Sequence, residues 1–277
     1  MTEQATVSME EEAMGHMLDL PDDESLEQID ARIKTTFTVL VKVARGIIDS
    51  NIRSVIVSGA AGCGKTYTLE QELTDAENEE LISYDSVKGA MSPIGLYRKL
   101  WENREEGHVL VIDDCDSIFA DIDALNLLKA ALDTTKHRKV HWNKESRILD
   151  EEGIDRSFEF DGAVVFITNI DFTAEIEQEK KMTPHYKALL SRCMYVDLGI
   201  HSKREILVRI TQVMFSKQFL RDNRLGREQA QEMFKWLNTN LERVRSLSIR
   251  TILQLASLVK TDTDWVTLAN TIMLKRR

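Results

Sequence analysis

Gly59-Ala60-Ala61-Gly62-Cys63-Gly64-Lys65-Thr66 is the stretch on which the reading of this chain turns. It has the spacing G-x-x-x-x-G-K-[ST]. Before it, Ser54-Val55-Ile56-Val57 is a short β-branched run of the kind a buried parallel strand shows. After it, Lys65–Leu73 has a helical period. A strand that turns through glycines into a helix is a phosphate cradle. The glycines let the backbone wrap until several N–H groups converge on one phosphate chain, and the helix start adds its positive end. Lys65 supplies a point charge to the β- and γ-phosphates, and Thr66 a hydroxyl to Mg²⁺. The candidate nucleotide-binding set is Gly59, Ala60, Ala61, Gly62, Cys63, Gly64, Lys65, Thr66 and the adjoining Tyr67. A chance glycine-rich turn would not explain the flanking strand and helix.

Further along, Val109-Leu110-Val111-Ile112 runs into Asp113-Asp114. Acids directly after a buried strand are costly unless paired or metal-bound. Asp113 is the candidate Mg²⁺ partner with Thr66, and Asp114 the candidate group that polarises attacking water. The competing reading is a solvated strand-end turn, since Asp116 follows.

Other apolar runs at Leu81–Tyr84, His108–Ile112, Ala163–Thr168 and Met194–Leu198 alternate with helical patterns at Ile94–Asn103 and Ala124–Leu132. The expected body is a mostly parallel sheet covered on both faces, a three-layer α/β arrangement. Ser25–Asn51 reads as a preceding helix, capped by Asp22, Asp23 or Ser25. From Lys203 on, only helical patterns remain: Lys203–Phe219, Arg227–Leu241, Ile249–Lys260 and Asp264–Leu274. The expected division is a tail at 1–22, an α/β domain at 23–200 and an all-α lid at 201–277.

Charge follows the same division. The 277 residues carry 36 Lys and Arg against 46 Asp and Glu, a net −10. Residues 1–30 hold ten acids and no base, whereas 201–277 hold 7 acids and 15 bases. An acidic total argues against strong sequence-blind DNA affinity, but a basic C-terminal piece leaves a localised anion-binding face. The tail reads as a disordered solubilising segment, or as a pseudo-ligand over a basic surface. There is no apolar run of membrane-spanning length and no secretory start. Cys63, Cys115 and Cys193 have neither disulfide-framework nor zinc spacing and read as buried fillers. A reduced, cytoplasmic setting is the expectation.

The phosphate loop, the strand ending Asp113-Asp114-Cys115-Asp116-Ser117-Ile118-Phe119 and the later Val165-Phe166-Ile167-Thr168-Asn169 together resemble the AAA+ P-loop ATPases over about residues 35–275. The resemblance implies ATP and Mg²⁺ as ligands, ATP hydrolysis as the activity and a homo-oligomer, a ring (a hexamer) or a filament, as the working form. It implies that Asn169 orients water as the first sensor residue. Ser191-Arg192-Cys193 resembles a clamp-loader segment, which makes Arg192 a finger reaching a neighbouring subunit's ATP. Leu247-Ser248-Ile249-Arg250-Thr251 resembles the second sensor segment, which brings Arg250 to the γ-phosphate. The competing readings are a surface arginine at a helix end for Arg192 and a solvated helix-start arginine for Arg250. Asp114 departs from the family's usual Glu. An Asp pair there resembles the bacterial initiator and helicase-loader branch and points to slow or switch-like turnover.

Residues 136–160 carry alternating segments around Trp142 and at Ser157-Phe158-Glu159-Phe160, as hairpin strands do. Within residues 136–147, Lys136, Arg138, Lys139, Lys144 and Arg147 face one acid, Glu145. Bases beside an aromatic suit a nucleic-acid strand, so Arg138, Lys139, Lys144 and the basic lid are the candidate DNA contacts; a solvated hairpin is the alternative. Val87–Pro93 falls where the family has its central-pore loop, with Lys88 suited to a phosphate backbone. Three outputs compete: a motor or loader acting on DNA in replication or recombination, a chaperone-like remodeller of a protein partner, and a nucleotide-gated assembly module. A small-molecule P-loop kinase would leave Asn169, Arg192 and Arg250 together unexplained. The compact sequence also resembles ATPases encoded by double-stranded DNA phages.

Overall fold

The computed structural model describes residues 24–276. The acidic tail lies outside them, as do Asp22 and Asp23. The chain divides into two compact units. One comprises 36–59 and 65–198; the other holds the described residues up to Thr35, Ala60–Gly64 and the chain from Gly199 on.

The larger unit is a five-stranded sheet. In chain order it contains β1 (Ser54–Ser58), α2 (Lys65–Asn78), β2 (Ser83–Lys88), α3 (Pro93–Glu102), β3 (His108–Asp113), a 3₁₀ turn (Asp116–Ala120), α4 (Ile122–Ala131), β4 (Lys139–His141), α5 (Arg147–Glu151), β5 (Ser157–Glu159), β6 (Ala163–Thr168), α6 (Phe172–Glu177), α7 (Thr183–Leu190) and β7 (Met194–Asp197). The helix before β1, α1 (Leu26–Ile48), contributes its C-terminal part. The strand order is β2-β3-β6-β1-β7, every pair parallel. All five residues of β1 and all six of β6 are buried, so both faces of the sheet are covered, as a parallel sheet requires. The expected α/β body is the one that forms. Its core joins β1, β3 and β6 to α3 and α4 through Ile56, Leu110, Phe166, Leu100 and Leu128.

Three details differ from the sequence reading. The second strand runs Ser83–Lys88, not Leu81–Tyr84, because it is an edge strand of mostly polar residues; Leu81, 58% exposed, lies before it. Val87 and Lys88 therefore belong to this strand rather than to a pore loop. Neither α6 nor α7 was legible; Asp171 caps the first through its carboxylate, which accepts from Ala174 N.

The second unit is helical: the start of α1, then α8 (Lys203–Met214), α9 (Lys217–Asn223), α10 (Arg227–Thr239), α11 (Ile249–Thr261) and α12 (Trp265–Met273). Among the described residues Ser25 caps α1: its hydroxyl accepts from Gln28 N at 3.3 Å while Gln28 accepts from Ser25 N at 2.8 Å. The single helix expected over Lys203–Phe219 is broken, because Ser216 accepts from Phe219 N at 3.1 Å and starts α9. Ile252, Leu255, Met233, Leu237 and Trp265 are all buried within the unit. Arg32 ties α1 to α8, donating to Glu205 at 2.6 Å and to Gly199 O at 2.7 Å. No helix among the described residues is long and apolar enough to cross a membrane.

Candidate functional site

Strand order places the chemistry. β6 lies between β3 and β1, so Asn169, just past β6, stands between the acids past β3 and the loop past β1. The Lys65 ammonium is 5% exposed and donates to Gly59 O at 2.7 Å and to Asn169 Oδ1 at 2.8 Å. The Asn169 amide uses its other end to donate to Asp114 Oδ1 at 2.9 Å. One side chain thus links the loop lysine to the second acid. Asn169 is itself held: Thr168 Oγ donates to Asp116 at 2.6 Å and accepts from Ile170 N, while Ser58 Oγ donates to Ile170 O at 2.6 Å.

Asp114 has φ +52°, a left-handed conformation that costs an Asp less than most residues. Its N–H still donates to Ile167 O at 3.0 Å, so the strand ends in a turn that lifts the exposed carboxylate to Asn169.

Asp113 is 4% exposed. Thr66 Oγ donates to it at 3.0 and 3.2 Å, and the Lys88 ammonium stands 3.4 Å away. Burial pushes its carboxyl above the usual carboxylate range; the Thr66 hydroxyl opposes this and the Asp114 charge adds to it. A hydroxyl and a buried, under-compensated carboxylate on adjoining elements are hard oxygen donors of the kind Mg²⁺ takes. The residues fit that ion. Among the described residues no cluster of three or more His, Cys, Asp or Glu forms another metal site.

Lys88 and Glu70 are members of this site that the sequence reading missed. Lys88 pairs with Glu70 at 2.7 Å, and this hydrogen bond is the main reason its ammonium titrates above its ordinary value. In β2 Lys88 lies in register with Asp113. Its signal was hidden in a strand with little apolar periodicity; Glu70, four residues after Thr66 on α2, was findable from helical spacing.

The loop tip belongs to the helical unit. Gly62 has φ +72°, and a Cβ there would meet Ser248 Cβ at 2.9 Å and Arg250 Cγ at 3.9 Å. Ile249 N donates to Gly62 O at 2.9 Å. Arg250, which is exposed and was expected at the γ-phosphate, has its Cγ close to this loop glycine. Arg209 on α8 was not anticipated. Its Nε donates to Cys63 O at 3.1 Å, and burial draws its guanidinium down to about 10. Tyr67 is 56% exposed. All three cysteines are buried, and burial raises Cys193 to about 12.

Arg192 is not brought to the Lys65–Asp114 cluster. It precedes β7, whose Met194 pairs with Val55 at the start of β1, and its carbonyl accepts from Ser54 Oγ at 2.7 Å. The cluster lies past the other end of β1, about 13 Å further on for four residues of strand. Arg192 Nη1 donates to Ala188 O at 2.7 Å, and Nε stands 3.7 Å from Asp133.

The hairpin forms, with Lys139, Val140 and His141 opposite Glu159, Phe158 and Ser157, but Arg138 is not the outward DNA contact expected of it. Arg138 is 2% exposed and donates to Ala131 O at 3.2 Å and Gly162 O at 3.3 Å. Its guanidinium lies 5.3 Å from the Phe160 ring centroid, and burial lowers it to about 10. It secures the hairpin from inside and has no outward face. Trp142 packs on Tyr97 at 5.6 Å rather than offering a stacking platform. Lys144 is ion-paired to Asp123, and exposed Lys139 faces Glu159.

No family model matches the chain. A 36.7 kDa protein encoded in the nrdC-mobD intergenic region of Enterobacteria phage T4 is 47% identical over 239 residues, which are 86% of this chain and 73% of that protein. Among solved structures, a mutant of Thermotoga maritima RuvB matches 91% of this chain and 73% of its own, with 16% identity and a TM-score of 0.49. Domain III of the Thermotoga maritima replication initiation protein DnaA matches 88% and 92%, with 13% identity and a TM-score of 0.48. NtrX from Brucella abortus in complex with ATP matches 99% and 60%, with 12% identity and a TM-score of 0.45.

Proposed function

From a chain that belongs to the family of the phage T4 36.7 kDa protein and has the AAA+ P-loop fold, we infer an ATPase that works as an oligomer and acts on DNA. The observation that carries the catalytic part is the chain Lys65–Asn169–Asp114, closed by hydrogen bonds of 2.8 and 2.9 Å. A purely structural lysine would have no use for an amide that also holds a strand-end acid.

The expected reaction is in-line attack of water on the γ-phosphate of ATP. A new P–O bond forms to the water oxygen, and the bond to the β–γ bridging oxygen breaks. Asp114 accepts the water proton, and Asn169 holds both Asp114 and the water in line. Lys65 exchanges Gly59 O and Asn169 for phosphate oxygens and neutralises their charge. Thr66 and Asp113 would hold Mg²⁺, which would offset charge on the leaving diphosphate. Arg250, beside Gly62, adds a guanidinium at the loop. Arg192 completes the site of a neighbouring copy, a reading supported by its distance from its own cluster.

ATPase rate per subunit should rise with protein concentration. Arg192→Ala should remove that rise, at a cost of about 10³-fold or more in rate, while fluorescent ATP-analogue binding stays intact; Lys65→Ala should lose binding itself. A concentration-independent rate, unchanged in Arg192→Ala, would defeat the oligomeric reading. DNA as the target is favoured by the surplus of bases after residue 200.

A further inference from the structure

The correction at the hairpin leaves the question of where a polyanion would be held. Beyond α10 the chain returns as a two-stranded contact, with Val244 bridged to Leu274 antiparallel. Arg245 N donates to Met273 O at 3.1 Å and Lys275 N to Arg243 O at 2.8 Å. In such a pairing, alternate residues share a face. Val244 and Leu274 are 6% and 3% exposed and point into the helical unit's core. Arg243, Arg245 and Lys275 therefore share the opposite face, and all three are exposed, as is the neighbouring Arg276.

Two features separate this corner from an ordinary solvated surface. Arg243 and Lys275 are directly opposite each other, a like-charge placement that repels and that an anion would relieve. Neither they, Arg245 nor Arg276 has a carboxylate within ion-pair distance among the described residues. The adjacent acid, Glu242, is taken by Lys203 at 3.0 Å. Several other exposed bases do have partners: Arg221 has Asp222, Arg156 has Asp150 and Lys144 has Asp123. Arg245 is also pre-positioned, since its Nε donates to Leu274 O at 3.1 Å and so fixes the guanidinium over the ladder.

We propose that the Arg243–Lys275 ladder, with Arg245, is a docking surface for the phosphate backbone of DNA. The proposal rests on the DNA-acting reading above and names the surface that reading needs. Three cations on two backbone segments, pinned to each other by main-chain hydrogen bonds, present charge without base-reading geometry. Affinity should therefore be sequence-independent and strongly salt-dependent.

The test is fluorescence anisotropy of labelled single- and double-stranded DNA against the full chain, titrated in salt at low ionic strength. Charge neutralisation by Arg243→Gln with Lys275→Gln should weaken low-salt binding about tenfold or more. It should also lower the slope of log affinity against log salt by about two, near 0.9 per lost phosphate contact. Lys139→Gln with Lys144→Gln, the same charge change at the hairpin, should leave the slope unchanged. The exposed positions should keep thermal stability and DNA-free ATPase activity at parental values. An unchanged slope in the Arg243/Lys275 variant, or a loss confined to the hairpin variant, overturns the surface. A parent that binds no DNA, or that binds an acidic polypeptide and not DNA, overturns the DNA-acting reading as well.

Discussion

Asp113→Asn should make the nucleotide-free protein more stable and the Mg²⁺–nucleotide complex less so. Asp113 is a carboxylate at 4% exposure whose partners are one hydroxyl at 3.0–3.2 Å and an ammonium at 3.4 Å that already belongs to Glu70 at 2.7 Å. Desolvation outweighs those partners, so its carboxyl titrates above the ordinary value. Asparagine keeps an oxygen to accept from Thr66 and removes the buried charge. Relief of such functional strain is worth about 1 kcal/mol, or roughly 2–4 °C in melting temperature for a domain of this size. The pH dependence follows from the direction of the shift. A folded carboxyl with a raised pKa takes up a proton before the unfolded one does, so the parent's disadvantage is present at neutral pH. It fades as pH falls through the folded value toward the unfolded 3.8. Differential scanning fluorimetry at neutral and mildly acidic pH measures the gap. Adding Mg²⁺–ADP should reverse the order, because ligand at about 100 times its Kd adds about 2.7 kcal/mol to a protein that binds it. A nucleotide-free variant that melts below the parent at neutral pH would refute the reasoning, since it would mean that Thr66 and Lys88 more than compensate the buried charge.

Lys88→Met should lower the Mg²⁺ concentration needed for half-maximal fluorescent-ADP binding by about fivefold, near 1 kcal/mol, because a like charge leaves the neighbourhood of Asp113. Glu70→Gln should shift the same titration the other way; matching signs for the two would show that charge is not the cause. Arg138→Met should change thermal stability by no more than about 1 kcal/mol, as buried charges replaced by apolar chains of similar volume often do, and should leave DNA affinity untouched. Arg138→Ala, by contrast, should melt clearly lower for want of packing.

The local pattern was enough to single out the candidate nucleotide site. A β-branched strand, glycines with lysine and threonine, and an apolar strand ending in two acids are each written in consecutive residues. Their chemistry depends on spacing that the backbone enforces. Lys65, Thr66 and Asp113 follow from that spacing, whereas Asn169 was implied only by the resemblance to the AAA+ ATPases. Exposure was not legible. Arg138 and Lys139 adjoin in sequence, yet one is sealed beneath the hairpin by Ala131 O and Gly162 O while the other faces water. A two-residue period says that neighbours point to opposite faces; it does not say which face is covered.

What the sequence by itself determined is therefore the alternation of strands and helices that builds the sheet and the Gly59–Thr66 loop between the first strand and its helix, because both arise from interactions between residues close in sequence. Tertiary structure alone decided that β6 inserts between β1 and β3, so that one amide spans Lys65 and Asp114. It alone brought Lys88 of an edge strand to Asp113, and it alone folded residues 273–275 back on 243–245 to put unpaired cations side by side. Each of these is a contact between segments remote in sequence, chosen by which apolar faces had to be buried together, and no local periodicity records that choice.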